Sequence, residues 1–141
     1  MGRCFYEIYD QVEDILIPIA QFGNMDNVPS NLKFFTKNED FIQTATFRYN
    51  SGHVMRAHRH IDREPPKSFR TEETLLVWSG SVKCNIYNID GSFRESTILN
   101  RGDFVIIHNG GVGYEVLEDN TIMLEVKSGP FTTSEEDRIL L

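Results

Sequence analysis

The 141 residues have the size of one ordinary domain, and a hydrophobic share of 40% with ten Phe and five Tyr is enough for a single core. This composition argues against a disordered chain. The formal charge of −7, without a dense Lys/Arg cluster, argues against nucleic acid as a partner. The longest apolar stretch, ILIPIA at 15–20, is far too short to cross a membrane, so we expect a cytoplasmic protein.

Short segments bounded by Gly, Asn, Asp, Pro or Ser follow one another through most of the chain, a pattern typical of β-strands. In chain order they are CFYEIY, DILIPIA, LKFF, FIQTATFRY, VMRAHRH, TLLVWS, SVKCNIYN, STILN, DFVIIHN, GYEVLE and TIMLEVK. We therefore predict an all-β sandwich or barrel. The last segment, TTSEEDRILL, has Ser and Thr N-caps followed by acids and predicts one short C-terminal helix.

The first candidate site residues lie on the predicted strand VMRAHRH. Side chains at i and i+2 of a strand project from one face, about 6.5 to 7 Å apart. Arg56, His58 and His60 therefore share a face, and the two imidazoles can converge on one ion. The alternative is that Met55 and Ala57 face the core, which would leave the histidines in solvent.

Two adjacent carboxylates, Glu72 and Glu73, precede the strand TLLVWS. Only one of them can point inward, because successive side chains of a strand face opposite sides. Glu73 shares a face with Leu75 and Val77 and is predicted to be the inner one.

The loop before these carboxylates, IDREPPKSFRTE at 61–72, contains two prolines and several cations. One interpretation is a lid-like loop whose Arg63, Lys67 and Arg70 are available to an anion. The other is an ordinary solvated charged loop.

Turn signals divide the next part of the chain. We predict β-hairpins at Ser79-Gly80 and at Asp90-Gly91, because Gly tolerates the positive φ that tight turns require. After a turn at Gly102-Asp103, the almost wholly apolar DFVIIHN is predicted to be a central strand.

Two further groups are candidates for proton transfer. Glu125 and Lys127 share a strand face, so that they form either a buried pair that could serve as acid or base, or an exposed ion pair. Tyr114 shares a face with Val112 and could reach the site as a donor or proton carrier.

The spacing of the site residues resembles the first motif of the cupin superfamily, which runs glycine, five residues, His-x-His, a gap, glutamate, six residues, glycine. Gly52, His58 and His60 fit its first half, and Glu73 with Gly80 fits its second half. The gap of twelve residues between His60 and Glu73 is longer than the family usually has.

The second cupin motif is only partly present. From Gly102, the pattern puts His108 in the place of a proline and Gly110 in its proper place, but Gly113 stands where the family has a histidine and Leu117 where it has an asparagine. The usual fourth metal ligand is therefore missing. His108 is an alternative ligand, although a histidine at the end of an apolar strand is more often a core or rim residue.

The resemblance implies a cupin-type double-stranded β-helix, or jelly-roll, barrel over 41–131. We expect strands in 1–40 to pack on this barrel or on a dimer partner, and 132–141 to form a tail or the short helix. A homodimer is expected because TLLVWS has apolar residues on both faces.

The resemblance also implies a divalent metal ion, Fe, Mn, Ni or Zn, and a small polar ligand of the sugar-derived kind, with isomerase- or epimerase-like chemistry. The alternative is a non-catalytic carbohydrate-binding or regulatory cupin with a degenerate metal site. The residues implied are His58, His60 and Glu73 for the metal, with His108 as the alternative; Arg56, Arg63, Arg70 and Lys127 for substrate; and Glu125 and Tyr114 for catalysis.

Overall fold

The computed structural model describes residues 6–10, 12, 18, 20–62, 70–130 and 137–141. These residues form twelve strands and one turn of 3-10 helix, at Met25–Asn27. None of the helical structure within them is long and apolar enough to cross a membrane. The strands are β1 (Tyr6–Ile8), β2 (Ala20–Phe22), β3 (Asn31–Phe34), β4 (Ile42–Tyr49), β5 (Val54–His60), β6 (Glu73–Ser79), β7 (Ser81–Tyr87), β8 (Phe93–Asn100), β9 (Phe104–Ile107), β10 (Gly111–Val116), β11 (Thr121–Ser128) and β12 (Arg138–Leu140).

Ten of the strands form two five-stranded antiparallel sheets. The first sheet has the order β12-β5-β10-β7-β8, and the second sheet has the order β3-β4-β11-β6-β9. Strands β1 and β2 pair only with each other among the described strands. The prediction of a nearly all-β, two-layered fold is confirmed.

The core lies between the two sheets. Alternation along β6 turns Leu75 and Val77 inward, where they meet Val82 and Val112 of the opposite sheet in one cluster of buried side chains. The same alternation buries Glu73, the first residue of β6, at one end of this layer. A carboxylate therefore enters the interior because it shares its face with the core residues.

The predicted hairpin at Asp90-Gly91 is confirmed, since β7 and β8 pair along their whole length. The predicted hairpin at Ser79-Gly80 is wrong, because β6 pairs with β11 and β9 whereas β7 pairs with β10 and β8. Gly80 alone joins β6 to β7, with φ of 84°. A one-residue link cannot close a two-residue hairpin turn, so the chain crosses there from one sheet to the other.

Two further predictions differ from the structure. The apolar strand β9 is an edge strand of the second sheet rather than a central one, and Phe104 is 62% exposed. The first half of the predicted C-terminal helix, 132–136, lies outside the described residues. Within the described part, Arg138–Leu140 forms strand β12, which pairs with β5.

Candidate functional site

Three potential metal ligands meet where β5 of the first sheet faces the beginning of β6 in the second. His58 and His60 project from one side of β5, and Glu73 projects towards them from β6. One ligand atom from each residue lies within 4.8 Å of the other two. The two-residue spacing on β5 and the inward register of β6 together produce this cluster, so the histidines do not lie in solvent as the alternative interpretation required.

His58 is prepared to act as a neutral ligand. Its Nδ1 lies 3.0 Å from the carbonyl oxygen of Arg56, and because a carbonyl only accepts, Nδ1 carries the proton. Burial lowers the pKa of His58, which keeps the ring neutral near pH 7. The Nε2 lone pair is then left for an ion.

His60 is held between two carboxylates. Its Nε2 lies 3.1 Å from Glu73 Oε2, and its Nδ1 lies 2.9 Å from Asp137 Oδ2, with all three side chains buried. Burial alone would lower the pKa of His60, but the hydrogen bonds with Asp137 and Glu73 outweigh it and raise the pKa to about 9. Burial would raise the pKa of Glu73, yet its hydrogen bond and charge pairing with His60 keep that pKa low.

A cavity of about 420 Å³ opens beside this cluster, between the two sheets. Both His58 and Glu73 lie in its wall, together with Arg56. The Tyr114 side chain also lines it, and its buried hydroxyl has no hydrogen-bond partner within the described part of the chain. Burial raises the pKa of Tyr114 well above its usual value, so this hydroxyl is a donor that a ligand oxygen would satisfy.

The Glu125 and Lys127 pair also belongs to the cavity wall, as the first of the two interpretations of this pair required. Glu125 Oε1 lies 3.8 Å from Lys127 Nζ, and each side chain is 12% exposed. Burial and the negative charge of Glu73 raise the pKa of Glu125 to about 7, although Lys127 opposes the shift. A carboxyl group with this pKa can take up or release a proton near neutral pH.

Two other candidates, His108 and Arg70, are not brought to the cavity. His108 is 75% exposed and pairs with Glu72 at 2.8 Å, on the outside of the barrel. Arg70 pairs with Asp62 at 3.3 Å and donates to the carbonyl of His108. Arg63 lies outside the described residues.

Gly113, which stands where the second cupin motif has a histidine, packs directly against β5. A Cβ atom at this position would lie 2.8 Å from the Cβ and 2.9 Å from the Cα of Ala57, much closer than van der Waals contact. The pairing of β10 with β5 is also irregular here, between Val112 and Tyr114. A side chain at this position would therefore require Ala57 and the backbone of β5 to shift.

Three residues near the site were not found from the sequence. Asp137 and Thr71 form a hydrogen-bonded chain behind His60, and Arg138 lines the cavity. Asp137 and Arg138 belong to the acidic C-terminal segment, and only the pairing of β12 with β5 brings them to His60. No local pattern in the sequence signals this contact.

The arrangement was compared with known proteins. No protein-family model matches the sequence, and no curated protein matches it. Among solved structures, the capsular polysaccharide assembling protein CapF from Staphylococcus aureus matches with a TM-score of 0.63 and 18% identity, over 78% of this chain and 31% of CapF. A conserved protein with a double-stranded β-helix domain from Klebsiella pneumoniae matches with a TM-score of 0.56 and 17% identity, over 76% of this chain and 79% of that one.

The third comparison is oxalate decarboxylase from Bacillus subtilis, a protein with Mn(II) centres. It matches with a TM-score of 0.54 and 16% identity, over 70% of this chain and 24% of that one. The chain has the cupin fold. It spans about a third of the CapF chain and a quarter of the oxalate decarboxylase chain. At 16% to 18% sequence identity, these similarities establish the fold alone.

The donor set of this cupin barrel fits a divalent transition metal. Two imidazoles and one carboxylate suit Fe, Mn, Ni or Zn, and three protein ligands leave positions for water or substrate. The lowered pKa values of His58 and Glu73 favour the neutral imidazole and the ionised carboxylate that a metal requires, whereas His60, with a pKa of about 9, has to release its Nε2 proton when a metal binds. Among the described residues, no fourth His, Cys, Asp or Glu joins the cluster.

Proposed function

We propose that this cupin is a metalloprotein that holds a divalent ion through His58, His60 and Glu73 and acts on a small polar, sugar-derived ligand in the adjoining cavity. The observation that carries the proposal is the convergence of three ligand atoms within 4.8 Å at the wall of that cavity. CapF is a capsular polysaccharide assembling protein, and its similarity in fold supports the sugar-derived class.

The remaining cavity residues have separate roles in this proposal. Arg56 and Lys127 hold an anionic or polar group of the ligand, since both are cationic and both line the cavity. The Tyr114 hydroxyl donates a hydrogen bond to a ligand oxygen. Glu125 exchanges a proton with the ligand, because a pKa of about 7 gives it both protonation states at neutral pH.

A bound divalent ion would supply Lewis-acid polarisation of a carbonyl or hydroxyl oxygen. The cavity residues of the chain orient the ligand and exchange a proton with it. Glu125 and Tyr114 reach the cavity from the second and first sheets, so they flank a ligand between the sheets. Isomerisation or epimerisation requires such a group to remove and return a proton.

Ligand-induced thermal shifts test this function. Metal-loaded protein is screened against sugars, nucleotide sugars and organic acids, and the same panel is repeated after metal removal. We expect stabilisation by one ligand class that depends on the metal and is lost in Tyr114→Phe. The control Tyr87→Phe changes a tyrosine that does not line the cavity and should keep the shift. A panel without any metal-dependent shift would contradict the proposal.

A second candidate function is a non-catalytic carbohydrate-binding or regulatory cupin. The observation that favours it is Gly113, which removes the histidine of the second motif. This candidate predicts that a ligand stabilises the metal-free protein as much as the metal-loaded protein. The thermal-shift panel therefore separates the two functions.

We further propose a homodimer that buries the outer face of the second sheet. This face carries a contiguous apolar surface, in which Trp78, Phe104, Ile106 and Val126 are exposed on three neighbouring strands. An apolar patch of this kind is typical of an interface, and a two-fold axis lets one patch cover its own copy.

A further inference from the structure

Asp137 sits directly behind His60, on the side of the imidazole away from the proposed ion. Its Oδ2 lies 2.9 Å from His60 Nδ1, and its Oδ1 accepts a hydrogen bond from the Thr71 hydroxyl. Asp137 is only 3% exposed. Burying a carboxylate costs free energy unless it is hydrogen-bonded and paired, and here both oxygens have such partners.

Asp137 is fixed in this place by the backbone as well. Its carbonyl oxygen accepts a hydrogen bond of 2.9 Å from the Ile61 N–H, and the next residue begins β12, in which Arg138 pairs with His60. Thr71 stands two residues before Glu73 on the other sheet. Asp137 is therefore held by the residue that follows β5 and, through its side chain, by the segment that precedes β6.

We propose that Asp137 is a positioning residue that fixes His60 with its proton on Nδ1, so that Nε2 is presented to the metal ion. A carboxylate cannot donate when ionised, so Nδ1 must carry the proton in this hydrogen bond. Such carboxylate–histidine pairs fix the tautomer and ring orientation of a metal ligand and increase its basicity. The role rests on the metal site proposed above, and Thr71 supports it by orienting the carboxylate.

The first test is the Zn²⁺ affinity of Asp137→Asn, measured by competition with a chelator. The substitution keeps the shape of the side chain but removes its charge, and we expect the Kd for Zn²⁺ to increase by about 10- to 100-fold. The control Asp103→Asn removes another hydrogen-bonded carboxylate, which caps the Asn100 N–H in a turn. That variant should bind Zn²⁺ as the wild type does.

The second test needs no substitution and so does not depend on whether Asp137→Asn folds. Long-range ¹H–¹⁵N correlation of the zinc-loaded wild type reports which ring nitrogen of His60 carries the proton. We expect the proton on Nδ1, and in a folded Asp137→Asn we expect this signature to weaken or become mixed. A zinc-loaded wild type with His60 coordinated through Nδ1 would overturn the inference.

The two proposals fail in different ways. If the wild type binds Zn²⁺ and Asp137→Asn binds it equally well with the same His60 signature, the positioning role is overturned and the metal site stands. If the wild type takes up no metal, the proposed function and the role of Asp137 are both overturned.

Discussion

Glu72 and Glu73 are neighbours in sequence with opposite environments. Glu73 is buried against His60, whereas Glu72 is exposed and pairs with His108. The difference follows from the two-residue period of β6, which was readable from the sequence because Leu75 and Val77 share the face of Glu73. That His58 and His60 project from the same side of β5 was readable for the same reason.

We predict that Glu73→Gln loses most metal affinity while Glu72→Gln changes it little. The first substitution removes one of the three proposed ligands and leaves His60 beside a neutral amide. The second alters only an exposed pair, whose contribution is small. Metal titration of both variants measures the difference. Equal affinities would remove Glu73 from the site, and a loss confined to Glu72→Gln would contradict the register of β6.

The protonation of His60 gives a pH dependence to the stability of the metal-free protein. Its pKa rises from 6.5 to about 9 in the folded state. The stabilisation that protonated His60 gives to the folded state is therefore complete below pH 6.5 and is lost as the pH rises through 9. Glu125 also makes the folded state less stable as the pH rises, but between about pH 4.5 and pH 7, because its pKa is raised from 4.5 to about 7.

We therefore expect the metal-free protein to lose stability between pH 7 and pH 9. Urea unfolding at several pH values measures this. Zinc-loaded protein is the control, because a coordinated His60 has no second proton to lose, and its stability should not fall over the same range. A metal-free protein whose stability rises from pH 7 to pH 9 would contradict the pairing of His60 with two carboxylates.

The link between β6 and β7 is the element that sequence reasoning misjudged. Ser79-Gly80 has the composition of a hairpin turn, but the strands on either side of Gly80 belong to different sheets. Turn composition reports a local positive φ, and it carries no information on which strands pair afterwards. The edge position of β9 was missed because its composition does not distinguish two cases. Apolar residues on both faces are typical of a central strand, and also of an edge strand that packs against another protein chain.

Alanine substitutions at Gly80, where the chain crosses between the sheets, and at Gly102, in an ordinary turn, distinguish the two positions. Gly80 and Gly102 have φ of 84° and 88°, so alanine strains the backbone at both by about 1 to 2 kcal/mol. At Gly102 a Cβ meets open space, whereas at Gly80 it would overlap the Thr121 side chain and lie 2.9 Å from the Thr121 Cα. We expect Gly80→Ala to cost about 1 to 3 kcal/mol more than Gly102→Ala in chemical unfolding. Equal costs would contradict this close approach.

The C-terminal strand marks the limit of what the sequence could predict about the site. His58, His60 and Glu73 follow from strand period and motif spacing, and both are local properties. Asp137 reaches His60 only through the pairing of β12 with β5, between residues more than seventy positions apart. No pattern within the acidic tail encodes this pairing.

For the whole molecule, the apolar outer face of the second sheet predicts self-association. Phe104→Glu places a charge within the exposed apolar residues of that face, on the edge strand β9. We expect the variant to sediment as a monomer and the wild type as a dimer. Ile98→Glu is the matched control, since Ile98 is an exposed apolar residue on β8 of the other sheet. A wild type that sediments as a monomer would contradict the proposed dimer.

The metal content of the whole protein tests the central claim most directly. Protein purified without a metal-affinity tag is measured by elemental analysis, first as isolated and then after incubation with Fe, Mn, Ni or Zn salts and removal of excess ion. The geometry of His58, His60 and Glu73 predicts about one equivalent of a divalent metal per chain, lost in Glu73→Gln. A content well below one equivalent of every transition metal, with none taken up on incubation, would contradict it.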